Sequence, residues 1–393
     1  MTDQPSAHTF HSASPTGDAA ATVQSFALRS AERPLYAFGI RQALPRGPVA
    51  TLTERVTLFF GTSRPGPDIL VGALPFDRAA DDYLFQPHFT TTQRPIETAA
   101  STAPANPARI AAQPTVDGYA ASVSASLALM AADPTLRKVV LSRSLLAEAT
   151  EAFDPHALAD RLAEDDSVTT FLATLPATTP GQPRMLVGAT PELLVSKSGT
   201  AIVSHPLAGS ARRLPNAADD HAALAKLLQS DKDLREHAHV VEAILDTLSP
   251  LCTQLQAPKL PSGRATATMW HLGTRIEGVL KSADTNVAEL VAALHPTPAV
   301  CGLPRDRAQS VIADLETYDR AFYAGTVGHI DRNGDGAWYV SIRCAELAGK
   351  TARLYAGAGI VPGSDPAAEG RETSAKFLAL LQALGITETG ETA

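Results

Sequence analysis

The chain has 393 residues, of which 45% are apolar and 19% charged, and carries a formal net charge of −8. That composition supports a sizeable core in one large domain or two ordinary ones, and its acidic balance gives nucleic acid or an anionic membrane no basic surface to bind. Three cysteines far apart in sequence (Cys252, Cys301, Cys344), with no CxxC pair or Cys/His cluster, argue against a zinc site or disulfide framework and fit reduced thiols in a cytosolic protein.

No run approaches ~18 apolar residues, so no membrane span is expected. Residues 1–25 are rich in Ser, Thr, Ala and His and lack the basic-then-apolar pattern of a secretory signal. They are expected to be a poorly ordered tail. From 29 to about 95, short β-prone runs such as Arg55-Val-Thr-Leu-Phe-Phe60 are separated by Pro and Gly, and 96–113 reads as a surface crossing. Tyr119, Val123, Leu127 and Met130 recur at helical spacing. A strand is expected at 138–147, and Asp154-Pro155 marks a helix start. Further strands are predicted at 171–175, 185–188, 193–196 and 201–204, the last two turning at Ser198-Gly199. Helices at 217–229 and 233–249 follow. The last third alternates strands near 266–277, 323–330, 337–345 and 351–357 with helices near 286–294, 305–315 and 368–384. Runs of strands with interspersed helices predict an α+β, sheet-rich protein without strict βαβ winding.

Several polar residues stand where a plain core would not place them. Lys138 opens an apolar strand, and Glu192 sits at the mouth of another; singly, each reads as a solvated strand end. Asp233 and Glu236 lie three apart on one helical face, and Glu369 and Glu372 repeat the spacing. Carboxylates near a helix start serve its dipole, but carboxylates on two distant helices are also what a Mg²⁺ site needs. Pro206-Leu-Ala-Gly-Ser210 and Ala356-Gly-Ala-Gly-Ile360 offer backbone N–H groups to an anion, or mark a tight strand crossing. Arg343, within a predicted strand, must either pair with an acidic side chain or present its fork to a ligand carboxylate.

Taken together, the motifs are far more specific. Lys138-Val-Val-Leu-Ser-Arg143, Gly188-Ala-Thr-Pro-Glu-Leu-Leu194, Pro206-Leu-Ala-Gly-Ser-Ala-Arg-Arg213 and Lys232–His237 are followed by Trp270-His-Leu272 and His295-Pro-Thr-Pro-Ala299. Ser341-Ile-Arg-Cys344, Ala356-Gly-Ala-Gly-Ile-Val-Pro362 and Glu369-Gly-Arg-Glu-Thr373 complete the series. In this order, across about 115–385, the chain resembles the chorismate-utilising enzymes and, within them, the isochorismate synthases. The resemblance implies large, mostly antiparallel β-sheets packed as a sandwich with flanking helices, forming one domain over 26–393.

It also implies a reaction on chorismate: water adds at C2, the double bonds shift and the C4 hydroxyl leaves. By family position Lys138 is the base and Glu192 the acid, which needs a lysine partly neutral near pH 7 and a protonated glutamic acid, states that burial favours. Glu236 and Glu372 match the family's Mg²⁺ ligands, with Asp233 and Glu369 holding metal-bound water. Arg343, Gly357 and Lys376 match positions that hold the enolpyruvyl carboxylate. Gly209 corresponds to a ring-carboxylate contact, Ala299 lines the ring, and His271 is a family active-site histidine. Lys138 suits water addition, where anthranilate enzymes usually carry glutamine. Ala299 suits a synthase, where salicylate and amine-using relatives tend to carry threonine, although Tyr323 is shared with the lyase-type relatives. Pro298 resembles siderophore-pathway rather than menaquinone members. A cytoplasmic monomer without an obligate glutaminase subunit is expected. A salicylate synthase with added pyruvate-lyase activity is the closest alternative, and an inactive metabolite-binding relative is the alternative of another class.

Overall fold

The computed structural model describes residues 23–30, 33–62, 65–94 and 108–386. Two large sheets dominate, and every strand pair in them is antiparallel. The ten-stranded sheet runs from Gly302–Leu303 through Lys138–Ala149, Thr351–Ile360, Cys344–Ala348, Arg184–Thr190, Thr169–Leu175, Gln24–Arg29 and Leu35–Phe38 to Phe89–Thr91, with Ala108–Gln113 also on Lys138–Ala149. The nine-stranded sheet is centred on Leu193–Ser198, Gly336–Val340 and Thr326–Asp331. A small third sheet joins Leu207–Arg212, Met269–Gly273 and Ser262–Ala265.

Side chains alternate across a strand, and this divides the core in two. Phe26, Phe171 and Leu186 of the larger sheet pack with Val195, Val327 and Trp338 of the other, filling the space between them. Their neighbours Ala27, Leu172 and Val187 face the opposite way, against Leu158, Leu162, Phe377 and Leu380 of two covering helices. The larger sheet is therefore buried on both faces, which is why Lys138–Ala149 carries an apolar run instead of a simple alternation.

Two helices bring carboxylates to the sheet. Ser230 caps Asp231–Leu248 by accepting from the Asp233 N–H. The buried stripe of that helix is Val240, Ile244 and Leu248, and Glu236 falls one turn earlier on the same face. Asp365 caps Pro366–Ala383, with Pro366 at its first turn. This helix packs Phe377 and Leu380 into the core and turns Glu369 and Thr373 inward.

Three expectations need correction. Residues 55–60 are not a strand but part of the helix Leu52–Phe60, because Leu52, Val56, Phe59 and Phe60 share one buried helical face that outweighs their β-propensity. Residues 108–113 are not a loose crossing but a strand paired with 144–149, while 95–107 lie outside the described residues. The first strand opens at Gln24, inside the expected tail; residues 1–22 of that tail lie outside the described residues. No helix among the described residues is long and apolar enough to cross a membrane. The three cysteines are free and buried.

Candidate active site

A cavity of about 90 Å³, room for several waters, lies between the larger sheet, the small third sheet and the two carboxylate-bearing helices, with connecting segments at 191–192, 299–300 and 342–343 completing its wall. Glu192, Gly209, Glu236, His271, Ala299, Arg343, Gly357, Glu372 and Lys376 all line it. Lys138 sits directly behind this lining.

Lys138 is fully buried, with Nζ 3.0 Å from Glu236 Oε1 but not placed to hydrogen-bond to it or to any other described residue. Space for this pair exists because residue 359 is glycine. A Cβ there would lie 2.0 Å from Glu236 Oε1 and 2.9 Å from Lys138 Cε. Gly357 and Gly359 are two apart on one strand and so line the same face.

Glu192 occupies the junction between Arg184–Thr190 and Leu193–Ser198, almost fully enclosed. Burial raises its pKa to about 8, against the opposing pull of Lys138, the Leu207 N–H and Arg343. At pH 7 it is a neutral acid with a proton to give.

Glu372 faces the cavity from the last helix. Burial works against its charge, but Lys376 Nζ at 2.7 Å and the Ser210 hydroxyl at 2.8 Å hold the carboxyl below its ordinary range. Lys376 also donates to the Gly357 carbonyl at 2.8 Å. Glu369 is pushed up by burial and by Glu372, with Lys232 Nζ 2.6 Å away pulling the other way. Burial likewise raises Asp233, which feels Glu236 and Glu372.

Four crowded carboxylates held by three lysines suit a hard divalent cation. Among the described residues no three His, Cys, Asp or Glu side chains converge on one point. Glu236 and Glu372, which both line the cavity, could supply two ligands, leaving the rest to water and substrate oxygens, as is usual for Mg²⁺.

Arg343 departs from the strand expected at 337–345. It lies in a break between Gly336–Val340 and Cys344–Ala348, with φ 49°. Its fork reaches His271 Nε2 and, at 3.1 Å, Thr266 Oγ1. Burial brings its pKa down to about 10, so it stays a cation at pH 7. No carboxylate among the described residues lies within ion-pairing distance of it. Burial, then Arg343 and Lys376, drive the His271 pKa well down, leaving a neutral imidazole that accepts from Arg343.

Of the residues singled out by sequence, Lys138 meets Glu236, and Lys376 meets Glu372, which also accepts from the Ser210 hydroxyl. Asp233 and Glu369 stay at the margin. Sequence reasoning passed over Ser210, Lys232, Thr266, Tyr355 and Gly359. Ser210, Lys232 and Gly359 fall inside recognised motifs, whereas Thr266 and Tyr355 carry no local signal. Tyr323 lines the cavity, its ring stacked on Tyr355 at 4.8 Å.

A buried acid, a buried lysine and an arginine without an ion-pair partner among the described residues gather around one small cavity, an arrangement suited to a small carboxylic acid. The chain belongs to the chorismate binding enzyme family, whose model matches residues 77–385. It is 40% identical to the isochorismate synthase DhbC of Bacillus subtilis, over 92% of this chain and 94% of that protein. It is 39% identical to the isochorismate synthase EntC of Escherichia coli K12, over 81% of each. A crystal structure of DhbC from Bacillus anthracis, assigned as a 2,3-dihydroxybenzoate-specific isochorismate synthase, superposes with a TM-score of 0.86 at 39% identity. That match covers 93% of this chain and 97% of the other.

Proposed function

We propose that the chain is an isochorismate synthase, a Mg²⁺-dependent cytoplasmic isomerase that acts as a monomer without a glutaminase subunit. The observation that carries the reading is a neutral acid at Glu192 on the cavity wall together with a buried lysine, Lys138, directly behind that wall. Lys138 accepts a proton from the water whose oxygen bonds to C2. The diene electrons shift, the C4–O bond breaks, and Glu192 protonates the departing hydroxyl, so atoms and charge balance.

Arg343, with no acidic partner to displace, and Lys376 bind the enolpyruvyl carboxylate. His271 keeps the Arg343 fork pointed at it. Gly209 and Gly357 let the substrate approach the backbone. Glu236 and Glu372 would hold Mg²⁺, which when bound supplies Lewis-acid polarisation of the ring carboxylate. Ala299 leaves the ring without the hydroxyl found at that place in lyase relatives, favouring a synthase over a salicylate synthase. The relative named for 2,3-dihydroxybenzoate, and a 44%-identical relative named as vibriobactin-specific, favour a siderophore role over a menaquinone one.

The test is incubation with chorismate and Mg²⁺, then chromatography. Isochorismate is expected, with salicylate and pyruvate at background. Purified isochorismate should approach the same final ratio, because the isomers share bond types and differ little in free energy. Rapid enzyme-dependent salicylate from either acid would overturn the synthase reading.

A further inference from the structure

The short strand Gly302–Leu303 pairs with the start of Lys138–Ala149, Gly302 opposite Val139 and Leu303 opposite Lys138. Their close approach demands glycine at 302, where φ is +145° and a Cβ would sit 2.3 Å from the Lys138 carbonyl oxygen. The last backbone bond runs from the Val140 N–H to the Cys301 carbonyl at 2.8 Å. Beyond it the two chains part, and Val140, Ala299 and Val300 all line the cavity.

Parting leaves the carbonyls of Val140 and Val300 with no strand to meet, and a buried carbonyl without a donor is costly. One side chain serves both. Arg320 donates from Nη2 to the Val140 carbonyl at 2.7 Å and from Nη1 to the Val300 carbonyl at 2.9 Å. Its Nε and Nη2 also grip the Glu316 carboxylate at 2.8 and 2.5 Å, and its guanidinium lies 4.4 Å over the Phe76 ring. Glu316 accepts in turn from the Ser142 N–H and hydroxyl, on the strand that begins with Lys138.

We infer that Arg320 is a positioning residue for the isomerisation: standing in for the missing strand, it sets the gap between the Ala299–Val300 wall and the strand presenting Lys138. This rests on the isochorismate synthase reading above. The planar fork is essential, because a single ammonium cannot span both carbonyls while holding Glu316. Arg305 offers a matched comparison. It donates to the carbonyls of Ala293 and Leu294 at the end of the preceding helix, neither of which lines the cavity.

The experiment measures kcat and KM for chorismate with Mg²⁺, together with thermal unfolding, on the full chain. The proteins are wild type, Arg320→Lys, Arg305→Lys, and the double variant Glu316→Gln/Arg320→Gln, which strands no buried charge. Arg320→Lys and the double variant should lose about 10²-fold in kcat/KM, the scale of a 1 Å misplacement, with most of the loss in kcat, because what shifts is the strand presenting Lys138 relative to the substrate ring. Arg305→Lys should lose thermal stability while kcat and KM stay within about twofold, as a residue remote from the reacting atoms would. Folded Arg320 variants with unchanged kinetics would overturn the inference. So would an equal kinetic loss in Arg305→Lys, or failure of both Arg320 variants to fold. Wild type that makes no isochorismate would overturn the functional reading itself, before any variant is compared.

Discussion

Replacing Glu192 by glutamine should stabilise the protein while disabling it. The unfolded carboxyl titrates at its ordinary value of 4.5, the folded one at about 8, because burial penalises its charge. Between those values the native state keeps a proton that the unfolded chain has lost. The contribution of Glu192 to stability must therefore fall as pH rises from 4.5 to 8. At about 1.4 kcal/mol per pH unit the full penalty reaches about 5 kcal/mol, of which about 3.5 kcal/mol develops between pH 5 and pH 8. Glutamine keeps the shape and can still accept from the Leu207 N–H, but never ionises. Urea unfolding at pH 5, 6, 7 and 8 should give wild-type and Glu192→Gln free energies that diverge steadily, the variant the more stable at pH 8. Parallel curves, or a variant less stable at pH 8, would mean that Glu192 is ionised in the native state and cannot be the acid.

Glu192→Gln and Lys138→Ala should each lower turnover by roughly 10²–10⁴-fold, the usual worth of a positioned acid or base, and near-normal steady-state rates in a folded variant would remove that residue from the mechanism. For wild type, kcat/KM should decline as pH rises through about 8, where Glu192 gives up its proton; a flat profile from pH 7 to 9 would contradict the assignment. EDTA should abolish activity and added Mg²⁺ restore it, whereas full turnover in metal-free buffer would dismiss the site at Glu236 and Glu372. Ser210→Ala should raise the half-saturating Mg²⁺ concentration by about 10-fold or more, as losing a ligand's supporting hydrogen bond does, with unchanged thermal unfolding. Ala299→Thr should release pyruvate modestly above wild type, and no release would leave that position without influence on product choice.

Much of this site was legible because helical periodicity and residue chemistry are local. Helical spacing put Asp233 and Glu236 on one face, and the structure buries Glu236 in line with Val240 and Ile244. Asp154-Pro155 announced its helix in the same way. The Lys138–Glu236 pair was not legible, since it depends on a helix nearly a hundred residues away crossing the strand at Gly359. Nor was the break at Arg343. Val340-Ser-Ile-Arg-Cys344 alternates like a strand, and nothing in an arginine signals a φ of 49°. At Leu52–Phe60 two periodicities competed, and β-branched and aromatic residues drew attention away from the helical one. Arg320, in an unremarkable Asp-Arg pair, looks solvated until the parting strands show which carbonyls it serves.

The most direct test of the account follows the oxygen. If water adds at C2 as the C4 hydroxyl leaves, chorismate turned over with Mg²⁺ in ¹⁸O-water should give isochorismate carrying one heavy oxygen on the ring. Mass spectrometry of the separated product reads this in one experiment. Singly labelled isochorismate, formed roughly 10²–10⁴-fold more slowly with Glu192→Gln and with Lys138→Ala, is the predicted result. Unlabelled isochorismate, salicylate with pyruvate, or no conversion at all would contradict it.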